Sequence, residues 1–289
     1  MDMRIIVLAK QVPDTRAVGK DAMKADGTVN RAALPAIFNP EDLNALEQAL
    51  RLKDQQPGST VHILTMGPPR AADIIREAMF RGADGGYLLT DRAFAGADTL
   101  ATSYALATAI KYIGGADVII SGRQAIDGDT AQVGPQVAQK LDILQVTYCE
   151  DMIIKGDKLQ IKRRLDHGIE EVLAPMPCLI TVNGSAAPCR PRNAKLLMKY
   201  KHACTPSEAK TSSEEIQSLI ESRKYLSIPE LSAETVGADL NLCGLSGSPT
   251  KVKTIVNVVF QAKEARKIEA TDQGIEELMV ELIDNHTIG

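Results

Sequence analysis

The chain has 289 residues, 44% of them hydrophobic and 24% charged, with a formal net charge of −4 at pH 7. These values belong to a compact globular protein and exclude disordered and fibrous classes. The acidic balance offers no attraction to a nucleic-acid backbone, so nucleic acid is not expected as a partner.

The length suits one large domain with appendages or two modest ones. Met1 leads into a charged residue and a strand pattern with no long apolar stretch, which points to the cytoplasm. Arg4–Ala9 is a short β-branched run of the kind that forms a strand buried on both faces, and Thr60–Thr65 and Asp117–Ser121 repeat the type. Tyr87–Thr90 is a weaker fourth. Asn39, Pro40, Glu41 and Asp42 read as a helix start: Asn caps, Pro takes the first helical position and the acids meet the positive helix end. Leu43, Leu46, Ala49, Leu50 and Lys53 continue that helix at 3.6-type spacing, and Gln55-Gln56-Pro57-Gly58 stops it. Further helices fit residues 70–82 and 98–113. Alternating strands and helices of this kind predict an α/β fold, a doubly wound, mostly parallel sheet of the Rossmann-like, adenine-nucleotide-binding type.

Beyond the first half the texture changes. Residues 146–183 are strand-rich, with a turn at Lys155–Lys158 and another at His167, and predict an antiparallel ribbon appended to a nucleotide-binding domain spanning 1–202. Residues 203–250 carry many Ser, Thr, Pro and Glu and read as an insertion or linker with one exposed amphipathic helix built on Ile216, Leu219 and Ile220. Residues 251–289 read as a C-terminal arm whose helix, striped by Ile275, Leu278, Met279, Leu282 and Ile283, docks on a partner. No apolar run approaches the roughly 18 residues of a membrane span. Cys149, Cys178, Cys189, Cys204 and Cys243 are widely spaced without a CxxC or a Cys/His cluster, which implies neither a disulfide scaffold nor a metal site. His62 reads as a packed core histidine.

Ligands of open parallel sheets sit outside the C-terminal strand ends. There the sequence places Leu8, Ala9 and Lys10, the helix start at Asn39, Met66 and Gly67, the stretch from Asp91 to Thr99, and Gly122 through Gly134. The last is the richest. Gly122 permits close backbone approach or an unusual φ, and Gly128-Asp129-Thr130 is expected to open a helix whose free N–H groups face an anion such as a pyrophosphate. Asp127 and Asp129 then take capping or ribose-hydroxyl roles, with Arg123, Thr130 and backbone amides nearer the phosphates. Taken alone, such a loop is as well explained as a plain strand-to-helix turn. No GxGxxG follows the first strand and no GxxxxGK[ST] occurs, which disfavours a nicotinamide-type Rossmann dehydrogenase and a P-loop ATPase.

Lys10-Gln11-Val12-Pro13-Asp14-Thr15, Asn39-Pro40-Glu41-Asp42, Met66-Gly67-Pro68 and the run Gly122-Arg123-Gln124-Ala125-Ile126-Asp127-Gly128-Asp129-Thr130-Ala131-Gln132-Val133-Gly134, in that order, resemble the electron-transferring flavoprotein β subunit. Ile161–Val172 and Pro177–Thr181 look like the family's signature segment, with His167 where a Gly or an acid is usual. The resemblance implies a heterodimer with a larger α subunit whose FAD carries electrons to an acyl-CoA dehydrogenase-type or other dehydrogenase, or to a quinone reductase. It implies that this chain binds AMP in non-bifurcating members. In electron-bifurcating members it binds a second FAD that accepts hydride from NADH, with ferredoxin or flavodoxin as low-potential carrier. The Asp91–Thr102 stretch and the Asp127–Thr130 form look like the bifurcating branch, which favours FAD over AMP. Carried over by resemblance, the cofactor contacts fall on Leu8, Ala9, Asn39–Asp42, Met66, Gly67, Asp91, Thr99 and Gly122–Val133, and no catalytic side chain is expected. The family's partner-recognition loop falls on about 188–201, with Ala194 where a bulky apolar anchor is usual and with Arg190, Arg192, Lys195 and Met198 around it. The segment 204–226 has no family counterpart. Two other readings remain open: a non-redox subunit holding AMP to brace a dimer, and a stand-alone nucleotide-binding module.

Overall fold

The computed structural model describes residues 2–14, 35–251, 267–285 and 287–288. Thr15 and residues 252–266 of the C-terminal arm lie outside these. In chain order the elements are β1 (Arg4–Leu8), β2 (Gln11–Pro13), β3 (Ala36–Phe38), α1 (Pro40–Gln55), β4 (Thr60–Met66), α2 (Ala72–Arg81), β5 (Gly85–Leu89), α3 (Thr99–Tyr112), β6 (Val118–Gly122) and α4 (Val133–Leu141). They continue with β7 (Leu144–Lys155), β8 (Lys158–Leu165), β9 (Gly168–Pro175), β10 (Cys178–Val182), α5 (Ala194–Tyr200), α6 (Pro206–Thr211), α7 (Glu214–Ser222), β11 (Glu230–Leu231) and α8 (Asp272–Asp284).

Among the described residues nine strands form one sheet in the order β11-β5-β4-β1-β6-β10-β7-β8-β9. The pairs from β11 to the start of β7 are parallel, whereas β7–β8 and β8–β9 are antiparallel. The alternation of β1 explains why the sheet is covered on both sides. Ile5 and Val7 pack with Leu46, Leu50, Ile75 and Met79 of α1 and α2, while Ile6 and Leu8 pack with Leu106, Ile110 and Val137 of α3 and α4. A strand buried on both faces needs the unbroken β-branched run the sequence carries.

Local signals set the helix bounds. Pro40 occupies the first turn of α1, Glu41 and Asp42 follow it, and Lys53 in the last turn reaches the Asp84 carboxylate at 2.7 Å and the Gly82 carbonyl at 3.1 Å. The Asp98 side chain caps α3 by accepting from the Leu100 and Ala101 amides.

Two expectations need correction. The strand-rich region 146–183 is not all ribbon: β10 runs parallel between β6 and the start of β7, and only β7, β8 and β9 form the antiparallel excursion. Nor is 203–250 merely a linker, because Leu226, Ile228 and Leu231 are buried and β11 adds a parallel edge strand beside β5. In α7, Leu219 and Ile220 are half-buried against the α1–α2 core. By contrast, α8 leaves Ile275, Met279, Val280 and Ile283 exposed. Among the described residues no helix is long and apolar enough to cross a membrane.

Candidate functional site

The C-terminal ends of β4, β1, β6 and β10 lie side by side, and the loops leaving them converge above the N-terminus of α1. Three side chains at that helix start hold the loop after β6. Asn39, wholly buried, donates from Nδ2 to the Gln124 carbonyl at 2.9 Å and accepts the Ile126 N–H at 3.1 Å. Glu41 accepts the Gln124 N–H at 2.9 Å and lies 3.2 Å from the Arg123 guanidinium. Asp42 accepts the Gly122 N–H at 3.0 Å through one oxygen and the Lys10 N–H at 2.8 Å through the other, so it joins the ends of β6 and β1.

Asn39 therefore stands at the cap position of α1 without a side-chain cap bond, contrary to the expectation. Its amide serves two backbone groups of the neighbouring loop instead, while Pro40 at the first helical position leaves the helix start one unsatisfied N–H fewer. Burial pushes the Asp42 carboxyl up to about 7, and the Glu41 charge adds to the shift, against the opposing hydrogen bonds from the Lys10 amide, Asn39 and the Gly122 amide.

Gly122 is required for close approach and not for an unusual φ. A Cβ there would stand 2.5 Å from the Asp42 carboxylate and 2.8 Å from the Glu41 carbonyl carbon. The expected helix at Gly128 does not form. The Gly128 and Asp129 amides turn back onto the Ala125 carbonyl, Asp129 and Ala131 take φ of +46° and +53°, and α4 starts only at Val133. Left-handed residues of this kind end any helical run and cost roughly 1–2 kcal/mol each. Strain of this sort is held where the surroundings over-determine it. Here the holders are Asn39, Glu41 and the Gln124 amide, which reaches the Asp129 carboxylate at 2.9 Å.

Around this cradle, Leu8 and Ala9 are buried at the end of β1 and Met66 is half-buried at the end of β4. The Gly67 amide donates to the Leu89 carbonyl. The Thr99 hydroxyl at the head of α3 meets Gln132 at 2.9 Å and Gln136 at 3.4 Å, which joins the α3 and α4 entrances. Asp91 is otherwise committed: one oxygen caps its own turn at Ala93 and the other accepts the Ala233 N–H.

Sequence reasoning named Lys10, Arg123 and Asp127 without their partners, and it did not single out Gln136 or a binding role for Ser121. Lys10 Nζ pairs with Asp127 at 2.7 Å across the cleft; the partners lie 117 residues apart, and no local pattern links them. Ser121 is buried, and its Oγ together with Arg123 Nε and Gln136 Oε1 has no hydrogen-bond partner among the described residues. The absence of a Cβ at Gly134 lets α4 close on this spot, since a Cβ would stand 2.8 Å from Thr181 and 3.0 Å from Ser121 Oγ. Of these atoms Ser121 Oγ lies against the start of α4, next to Gly134, where a hydroxyl donor matches a ligand that carries phosphate oxygens. Because the Lys10–Asp127 pair is partly exposed, Lys10→Met is expected to change stability by less than about 1 kcal/mol. It should nonetheless weaken nucleotide retention, as read by thermal melting and by nucleotide released from the purified protein.

Away from the cradle, Arg190 is bound by Glu47 at 2.9 Å and Asp54 at 2.8 Å, and Arg192 lies 3.3 Å from Glu77. Asn193 caps α5, which places Ala194 and Lys195 in its exposed first turn. The large apolar side chains that α5 presents to solvent are Leu197 and Met198, 37% and 64% exposed, so the prominent residue lies one turn beyond Ala194.

A family model described as the electron transfer flavoprotein domain matches residues 26–218. The electron transfer flavoprotein subunit beta of Megasphaera elsdenii is 40% identical over 97% of this chain and 100% of its own length. The caffeyl-CoA reductase-Etf complex subunit CarD of Acetobacterium woodii is 52% identical over 62% of this chain and 68% of its own. The acryloyl-CoA reductase electron transfer subunit gamma of Anaerotignum propionicum is 52% identical over 62% of this chain and 67% of its own.

Proposed function

The chain belongs to the electron transfer flavoprotein β-subunit family, and from that premise we propose that its cradle holds an FAD through which it takes hydride from NADH and sends electrons along two paths. One path leads to a low-potential carrier such as ferredoxin or flavodoxin, the other to an acyl-CoA dehydrogenase-type partner or another dehydrogenase or quinone reductase. The observation that carries this reading is the Asn39–Glu41–Asp42 clamp on the 122–126 loop, with Ser121 Oγ unpartnered against the start of α4. The two relatives named for reductase complexes support the bifurcating form.

Each side chain then has a role in binding. Ser121 Oγ, Arg123 and the first amides of α4 face phosphate oxygens, where the helix dipole favours negative charge. Gln136 and Asp129 accept from hydroxyls, and Leu8, Ala9 and Met66 wall the adenine. A bound flavin supplies the redox chemistry, and the protein binds it, orients it and tunes its surroundings. The chain pairs with an α subunit, the exposed apolar stripe of α8 is the docking face of the C-terminal arm, and Leu197 and Met198 meet the dehydrogenase. AMP shares the adenosine–phosphate end of FAD and fits the same contacts, so the second reading is a subunit that holds AMP while only the α subunit's FAD carries electrons.

Cofactor extraction from the purified αβ complex separates the two. Two flavins per heterodimer, with NADH bleaching the flavin absorbance, are expected. One FAD and one AMP per heterodimer would replace the first reading by the second.

A further inference from the structure

Residues 204–226 hold α5 at its last residue and α2 holds it at its cap. Tyr200, the last residue of α5, is buried, and its ring meets that of Tyr225 edge-on at 5.9 Å. The Lys199 ammonium lies over both rings, 4.6 Å from the Tyr200 centroid and 5.2 Å from that of Tyr225. Next to this cluster the Cys204 amide donates to the Leu226 carbonyl at 3.0 Å and the Ile228 amide to the Cys204 carbonyl at 2.9 Å, with Leu226 and Ile228 in the core.

The foot of the segment is equally fixed. Thr205 and Glu208 form a capping box at α6, and the Glu208 carboxylate holds Arg76 of α2 at 2.9 and 3.1 Å. Arg76 also donates to the Ala203 carbonyl at 3.3 Å. At the start of α5 the Asn193 amide donates to the Phe80 carbonyl at 2.8 Å. The 7 residues of α5 are too few for a helix to be stable by itself, so its posture is the one its flanks impose.

We propose that residues 204–226 are a brace that fixes α5 with Leu197 and Met198 turned outward, and that Tyr225 is a positioning residue for partner recognition. An apolar knob on a rigid base docks with less ordering cost than one on a mobile loop. Lys195 and Lys201 flank the knob in the sequence, with no acidic residue between positions 190 and 201, so the socket it fits is apolar with an acidic rim. The inference rests on α5 being the partner-recognition element. Leu219 and Ile220 of α7 pack against the core, so the segment acts through α5 and not by an apolar face of its own.

The test is amide exchange on the αβ complex, together with electron transfer to an acyl-CoA dehydrogenase. Tyr225→Ala should speed exchange of residues 194–201 by about fivefold or more, the scale of losing an edge-to-face pair and its cation. Tyr225→Phe should restore it, exchange in β4 and β6 should hold, and KM for the dehydrogenase should rise in Tyr225→Ala with kcat unchanged. Unaltered α5 exchange, or faster exchange throughout the sheet, overturns the brace. Met198→Glu separates the brace from the reading beneath it. If Tyr225→Ala loosens α5 but neither variant moves KM, recognition by α5 is what fails. Should Tyr225→Ala not fold, Lys199→Met removes only the cation and must speed exchange in α5 alone; unchanged exchange there overturns the brace.

Discussion

Gly122→Ala is expected to lower the melting temperature by roughly 5–10 °C and to strip the nucleotide from the purified complex. The added Cβ would sit 2.5 Å from Asp42 Oδ1 and 2.8 Å from both the Glu41 carbonyl carbon and the Glu41 Cβ. Neither neighbour can yield cheaply. The Asp42 oxygen is bonded to the Gly122 amide itself, and the Glu41 carbon belongs to the first turn of α1. The end of β6 must therefore part from α1. Such overpacking costs about 1–3 kcal/mol, and the Asp42 and Glu41 bonds to the loop add about 1 kcal/mol each if they go. Those bonds shape the cradle, so binding should fail together with stability. Gly128→Ala is the matched control: a Cβ there meets nothing within 4 Å and its φ is not left-handed. Its melting temperature should stay within about 2 °C of wild type, since exposed substitutions of this kind stay within about 0.5 kcal/mol. A Gly122→Ala protein that melts and binds like wild type would refute this account of the loop.

The sheet was legible because its central strands are long enough and apolar enough to report their own burial. β1, β4 and β6 are largely apolar runs rich in β-branched residues, and α1 has its start marked by Pro40 and its end by Gln56-Pro57-Gly58. The location of the cradle was legible for a similar reason, since a glycine-bearing loop after a buried strand marks the ligand edge of such sheets. What holds the cradle was not. The Asp42–Gly122 and Asn39–Gln124 bonds span 80 and 85 residues, distances at which composition and periodicity carry no information. The late start of α4 was hidden because Asp129 and Ala131 adopt left-handed conformations without a glycine to announce them. The region 203–250 reads as a linker because its buried residues, Leu226, Ile228 and Leu231, are too sparse to make a pattern, and β11 is only 2 residues long. Likewise β10 looks like one more ribbon strand until its parallel partners β6 and β7 are in place, a pairing no local signal specifies.

The second large effect concerns acidity at the same clamp. Asp42 titrates near 3.8 when unperturbed and about 7 in the folded chain, chiefly because its carboxyl is 6% exposed. Between these values the folded state binds the proton and the unfolded state does not. The stability this group contributes is thus fully present below about pH 4 and is lost as pH rises through 7. Asp42→Asn removes the titration. It also presents an NH2 group where either the Lys10 or the Gly122 amide needs an acceptor, so the variant should be less stable than wild type by about 1–3 kcal/mol at acidic pH. Denaturant unfolding of both proteins at pH 5 and pH 8 should show this gap narrow with rising pH by a few kcal/mol at most, on the order of 1.4 kcal/mol per unit of displaced pKa. A gap that stays constant or widens would mean that Asp42 is already ionised at pH 5, with the Lys10 and Gly122 amides outweighing burial. The sequence position is then informative in itself. A carboxyl is tolerated in this buried place because each of its oxygens keeps a lone pair for a backbone amide even when one carries the proton, whereas the NH2 of an amide of the same shape accepts nothing.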